Sequence, residues 1–163
     1  LAAKTMNFLT EHKIEQYADL VSRIEEINAE NVKTADALKS VEKRLADMAV
    51  LMKHVTTYQK TKPVYEAYRR AKDRDAYRAK QESSLILHEA AAKALKASGI
   101  TKLPNLAAMQ EEYGKLQAQK EALYADYGKL KKQVKEYDVI KQNIDNILRQ
   151  GKEPERKKGK ERE

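Results

Sequence analysis

Histidine and tyrosine carry most of the reactive chemistry this chain could perform. The three histidines, His12, His54 and His88, lie far apart and on separate expected elements. No two stand three or four residues apart, the spacing by which one helix offers two ligands to a metal ion. His88-Glu89-Ala90-Ala91-Ala92 opens like the zinc-protease helix motif, but Ala92 stands where the second histidine is required. The histidines therefore read as structural or surface residues. Nucleophilic catalysis lacks its parts too: there is no cysteine, no nucleophile elbow, and no serine with a His and acid partner. Glu111 and Glu112 read as solvated helix carboxylates, since nothing confines a carboxylate pair in the low-dielectric pocket that acid–base work needs. Gly114 and Gly128 are isolated in a helical pattern and form no phosphate loop; they read as points of close helix approach or slight bending. No catalytic residue, metal or cofactor is expected.

The tyrosines divide into two groups. Tyr113, Tyr127 and Tyr137 fall at apolar seam positions and read as packing residues with wet hydroxyls. Tyr58, Tyr65, Tyr68 and Tyr77 instead alternate with Lys60, Lys62, Arg69, Arg70, Lys72, Arg74, Arg78 and Lys80. Cations for phosphates beside rings for bases are what single-stranded nucleic acid requires. The plainer reading makes the tyrosines a small core under two short helices and leaves the cations as a solvated face. Such a face can still touch phosphates. The residues singled out are Lys60, Lys62, Arg69, Arg70, Lys72, Arg74 and Arg78, with Tyr65 and Tyr68 as stacking partners.

The elements that must hold these residues are written as two heptad ladders. The first is Leu20, Ile24, Ile27, Asn31, Thr34, Leu38, Val41, Leu45, Met48, Met52, Val55. The second is Leu106, Met109, Tyr113, Leu116, Lys120, Leu123, Tyr127, Leu130, Val134, Tyr137, Lys141, Ile144, Leu148. Steps alternate between three and four, which is the seam of a coiled coil. The fold expected is all-α: an elongated antiparallel coiled-coil-like hairpin of two long helices, with short connecting and N-terminal helices. A parallel homodimer through one ladder satisfies the same pattern. If Asn31 and Thr34 face Lys120, the polar breaks of the two ladders coincide and set the register.

Punctuation places the boundaries. Long helices are expected over about 16–60 and 104–150, and short ones over about 62–72 and 75–98, in a single module spanning 1–150. Pro63 suits the first turn of a new helix and Pro104 the first turn of the last. Lys72-Asp73-Arg74-Asp75 interrupts, and Ser98-Gly99 is a C-terminal stop. Residues 151–163 hold nothing apolar to bury and read as a disordered charged tail. One echo recurs: Leu9, a turn, Ile14 and then Leu20 match Leu95, a turn, Ile100 and then Leu106.

Composition agrees with this layout. Of 163 residues, 36% are charged and 6% aromatic, with no Trp and only five Gly and three Pro, the profile of long helices. The net charge of +8 is concentrated: residues 56–80 hold eight Lys/Arg against three acids, and the tail holds six against four. The missing cysteines favour a cytoplasmic setting. No stretch reaches the roughly 18–20 apolar residues that cross a bilayer, so no membrane insertion is expected. A start at Leu1 without an initiator Met reads as part of something longer.

A family resemblance adds to this. Leu51-Met52-Lys53-His54-Val55 through Tyr58, Lys60-Thr61-Lys62, Val64-Tyr65 and Tyr68-Arg69, then Leu87-His88-Glu89-Ala90-Ala91 and Lys102-Leu103-Pro104, form one such stretch. It resembles the helical C-terminal region of relaxases, the mobilization nucleases of conjugative and mobilizable elements from Firmicutes. Tyr137 to Leu148 and the charged tail are similar to the ends of those proteins. The resemblance implies a parent that nicks DNA with a tyrosine nucleophile and a histidine-held metal, in a domain N-terminal to this one. No such histidine cluster stands here, so no catalytic position carries over. It further implies a bacterial cytoplasmic accessory module whose partners are single-stranded or transfer-origin DNA, relaxosome proteins or the transfer machinery. The competing expectation is a protein-interaction or dimerization coil without nucleic-acid binding.

Overall fold

A computed structural model describes residues 2–149 in full and the backbone alone for 150–161. The segment 151–163, expected to be a disordered tail, lies outside the fully described residues. Five helices follow in order: α1 (Ala2–Glu11), α2 (Tyr17–Arg70), α3 (Arg74–Lys80), α4 (Glu82–Ala97) and α5 (Leu106–Glu161). There is no strand among the described residues. The all-α hairpin holds, with α2 packed against α5. Where one module was expected over 1–150, packing groups the chain into two compact units, one of residues 1–38 with 122–163 and one of residues 39–121. Both long helices contribute to both units.

The ladders are the buried faces. Every member of the first is buried or half-buried, and so is every member of the second except Leu148. In the first unit Ile14, Leu20, Tyr137 and Ile140 form the core, with Phe8, Leu9, Ile24, Ile27 and Ile144 packed around it. Leu20 is fully buried, which contributes about 1.5–3 kcal/mol relative to an exposed side chain. In the second unit Val55, Leu95 and Met109 are buried, surrounded by Met48, Leu51, Met52, Tyr58, Ile100, Leu103 and Leu106.

Within each unit the two long helices run antiparallel. Tyr17 Oη donates to Asp145 Oδ1 at 2.8 Å in the first, and Arg44 Nη2 lies 3.8 Å from Glu112 Oε1 in the second. Ile27 and Glu30 border a groove with Leu130 and Gln133, which sets the pairing of α2 with α5 inside the first unit. Asn31 Oδ1 is buried without a hydrogen-bond partner. The seam of the first unit thus holds a buried acceptor without a partner.

Three boundaries are corrected. Pro63 does not begin a helix: α2 runs through it to Arg70. Its ring denies the Gln59 carbonyl a partner, but Gln59 and Pro63 are both exposed, so water can take that acceptor. The expected helix over 75–98 is divided at Gln81, which closes α3 with its N–H on the Tyr77 carbonyl and opens α4. The last helix starts at Leu106 and not at Pro104, because Asn105 Oδ1 accepts from the Ala107 and Ala108 amides at 2.9 and 3.3 Å. That is an N-cap. Neither Gly114 nor Gly128 marks a close helix approach, since a Cβ built at either meets nothing within 4 Å.

The echo is real in the backbone. After α4, Gly99 N–H bonds to the Lys96 carbonyl at 3.0 Å and Ile100 N–H to Leu95 at 3.1 Å, with Gly99 at φ 78°. After α1, Lys13 N–H bonds to Thr10 at 3.2 Å and Ile14 N–H to Leu9 at 2.8 Å, with Lys13 at φ 55°. Both are Schellman ends, in which the residue after the left-handed one packs back on the helix it has left. Leu9 with Ile14, and Leu95 with Ile100, are those apolar pairs.

Candidate nucleic-acid interface

The last three turns of α2 present two faces with different chemistry. Thr61, Tyr65 and Tyr68 recur at the helical period and line one side, which α3 and α4 cover. Lys62 and Arg69 lie about 80° further round the helix and Arg70 about 170°, with the exposed Glu66 between them. Lys60 lies on neither face.

The covered side is organised around His88 of α4, which is only 3% exposed. Its Nδ1 is 2.8 Å from Thr61 Oγ1. Thr61 Oγ1 also lies 2.7 Å from the Thr57 carbonyl, which can only accept. The single hydroxyl proton goes there, so the proton between Thr61 and His88 comes from Nδ1. His88 is thereby assigned as the Nδ1–H tautomer. The imidazole is flanked by two rings, Tyr65 stacked at 4.5 Å and 20° and Tyr58 at 4.5 Å and 31°. Burial is the main cause that lowers its pKa, against a smaller opposing contribution from the Tyr58 backbone and Glu89, and Lys62 lowers it further. His88 is a neutral core residue in this setting.

The ring cluster continues outward. Tyr68 lies 6.4 Å from both Tyr65 and Tyr77, and the Arg78 guanidinium sits 5.8 Å above the Tyr68 ring. Arg78 also donates two parallel hydrogen bonds to Glu89, at 2.8 and 3.2 Å. The hydrogen bond from Arg78 holds the Glu89 carboxyl below its ordinary range, and Glu89 in turn raises Arg78. Arg78, expected as a phosphate contact, is thus committed to tying α3 to α4. Tyr65 and Tyr68, expected as stacking partners for bases, are half-buried members of this cluster. The structure brings them together with Tyr58, Tyr77 and His88.

The remaining expected cations are exposed: Lys60, Lys62, Arg69, Arg70, Lys72 and Arg74. Lys62, Arg69 and Arg70 are spread over the outer side of α2 around Glu66, and Lys72 and Arg74 follow at the turn into α3. Arg74 Nη2 donates to the Arg69 carbonyl at 3.2 Å, and Asp73 caps α3 by accepting from the Ala76 amide at 3.1 Å. Cations at the end of α2 also offset the negative end of its dipole. Sequence reasoning missed Thr61 and Glu89, the groups that orient His88 and Arg78. Their partners lie 27 and 11 residues away, and no periodic signal links them.

The first unit has a different concavity, of about 450 Å³, lined chiefly by Met6, Leu9, Leu20, Ile144, Ile147 and Leu148. It is apolar and gathers no titratable cluster. Among the described residues no group of three or more His, Asp or Glu is placed to hold a metal ion, and no helix is long and apolar enough to cross a membrane. No protein-family model, curated protein or solved structure matches this chain.

Proposed function

We propose that this chain is a non-catalytic helical accessory module of a DNA-mobilizing relaxase, contacting nucleic-acid phosphates through the end of α2. The observation that carries the reading is the exposed run of Lys62, Arg69, Arg70, Lys72 and Arg74, which outnumbers the acids among it, Glu66, Asp73 and Asp75, and lies outside the ring cluster. The resemblance of residues 51–69 and 87–104 to relaxase C-terminal regions supports the DNA-processing context. Lys60, on another face of α2, is outside the proposed contact, and so is Arg78.

The test is titration of labelled DNA with the protein at increasing salt. Each phosphate contact contributes a slope of about −0.9 on a log–log plot for duplex DNA. Replacing Lys62, Arg69, Arg70 and Lys72 together by alanine should weaken binding at least tenfold and flatten the slope. Absence of binding at low salt overturns the reading. A second reading, a protein-docking coil, is favoured by one observation: Met6, Ile147 and Leu148, at the mouth of the apolar concavity, are 62%, 49% and 56% exposed. It predicts capture of a protein partner that is lost on Met6→Asp and unaffected by salt.

A further inference from the structure

We infer that the basic run at the end of α2 is a duplex-DNA backbone surface and not a single-strand platform. The inference rests on reading that run as a phosphate-binding surface. Residue types alone favour single strands, because tyrosines alternate with cations. Single-strand sites work by combining cations with free ring faces on which successive bases stack. Here the rings are already in use. Tyr58 and Tyr65 lie against His88, each at 4.5 Å, and Tyr65 touches Tyr68 at 6.4 Å. Tyr68 also meets Tyr77 at 6.4 Å and carries the Arg78 guanidinium at 5.8 Å. Arg78 is fixed there by its paired hydrogen bonds to Glu89. Freeing a ring for a base would mean breaking that stack and uncovering His88, which is 3% exposed.

The cations are arranged differently. Lys62 and Arg69 are seven residues apart in one uninterrupted helix, a rise of about 10 Å. A flexible strand matches such an array only by giving up conformational freedom, whereas a partner whose phosphates are equally fixed meets it without that cost. Duplex DNA presents one charge per about 1.7 Å of axis, and each contact releases more counterion than on a single strand, about 0.9 against 0.7. With no stacking contribution, charge density decides, and the duplex is preferred.

The experiment compares a duplex with each of its separated strands, by fluorescence anisotropy at low salt. The chain has nine tyrosines and no tryptophan, so tyrosine emission reports stacking directly. The expected result is a duplex bound several-fold more tightly than either strand, with tyrosine emission unchanged. Tyr68→Leu should leave duplex affinity within about twofold, whereas Arg69→Ala with Arg70→Ala weakens it. If Tyr68→Leu loses helix content, Tyr77→Leu repeats the test at the cluster's edge. Tighter binding of a single strand, or emission quenched by a strand and restored in the tyrosine variant, overturns the inference while leaving phosphate binding intact. Failure of both duplex and strands to bind overturns the phosphate reading itself.

Discussion

At the elbow before α2 the left-handed residue is Lys13, and at the elbow before α5 it is Gly99, with φ of 55° and 78°. The hydrogen bonds are the same, and so is the apolar residue that follows. Glycine reaches this region without penalty, whereas a residue with a Cβ pays about 1 kcal/mol. What holds the Lys13 elbow is the packing around it: Ile14 is buried, Leu20 is fully buried, and His12 stacks on Phe8 at 4.0 Å. At the Gly99 elbow the corresponding Leu106 is only half-buried. Local backbone preference and tertiary burial are thus interchangeable ways to stabilise one turn, and the two units lean on them in different proportion.

The strongest way to break this comparison is to remove the burial. Leu20→Ala should destabilise by about 2–5 kcal/mol in urea unfolding, with Leu106→Ala costing clearly less. Equal losses would show that the two elbows rely on packing alike. The seams differ next. Asn31 leaves a buried oxygen unpaired in the first unit, whereas the α2 seam of the second is Val41, Leu45, Met48, Met52 and Val55. Asn31→Leu should raise stability by about 1–3 kcal/mol, measured as a higher denaturant midpoint. Exchanging the turn residues sharpens the contrast further. Lys13→Gly should stabilise and Gly99→Ala destabilise, each by about 1 kcal/mol, since a Cβ at Gly99 meets no neighbour and only the backbone is strained.

The smallest effect is one of pH. His88 has its folded pKa lowered from 6.5 by burial, so the unfolded chain binds the extra proton first. Stability is therefore complete above that value, declines as pH falls through 6.5, and levels off once the folded form also titrates. His88→Gln should flatten this part of the stability profile. A slope that persists unchanged would assign it to other groups.

The heptad ladders were legible because a period of three and four survives wherever one helix face is buried. Every apolar rung but Leu148 is covered. Boundaries were less legible, for reasons that are local and physical. Pro63 signals a break only when the carbonyl it strands cannot reach water, and Gln59 is exposed. Asn105 and Pro104 both carry helix-start signals in the sequence, and only the hydrogen bonds from the Ala107 and Ala108 amides to Asn105 decide between them. At the candidate interface the exposed cations follow from charge alone. The fate of Tyr65, Tyr68 and Arg78 does not, because it depends on His88, Thr61 and Glu89 arriving from elsewhere in the chain.

The hydrogen bond between Tyr17 and Asp145 joins residues 128 apart in sequence, and this orders events in time. The second unit is one continuous stretch, 39–121, whereas the first is made of the two flanking pieces. Closing a loop of that length before anything inside it has formed is entropically unfavourable, and contacts so distant slow folding. The middle of the chain should therefore consolidate first, and by shortening the effective loop bring Leu20 and Tyr137 within reach. On a ribosome α1 and the start of α2 would then wait for Tyr137, Ile140 and Ile144 to emerge before their core could close.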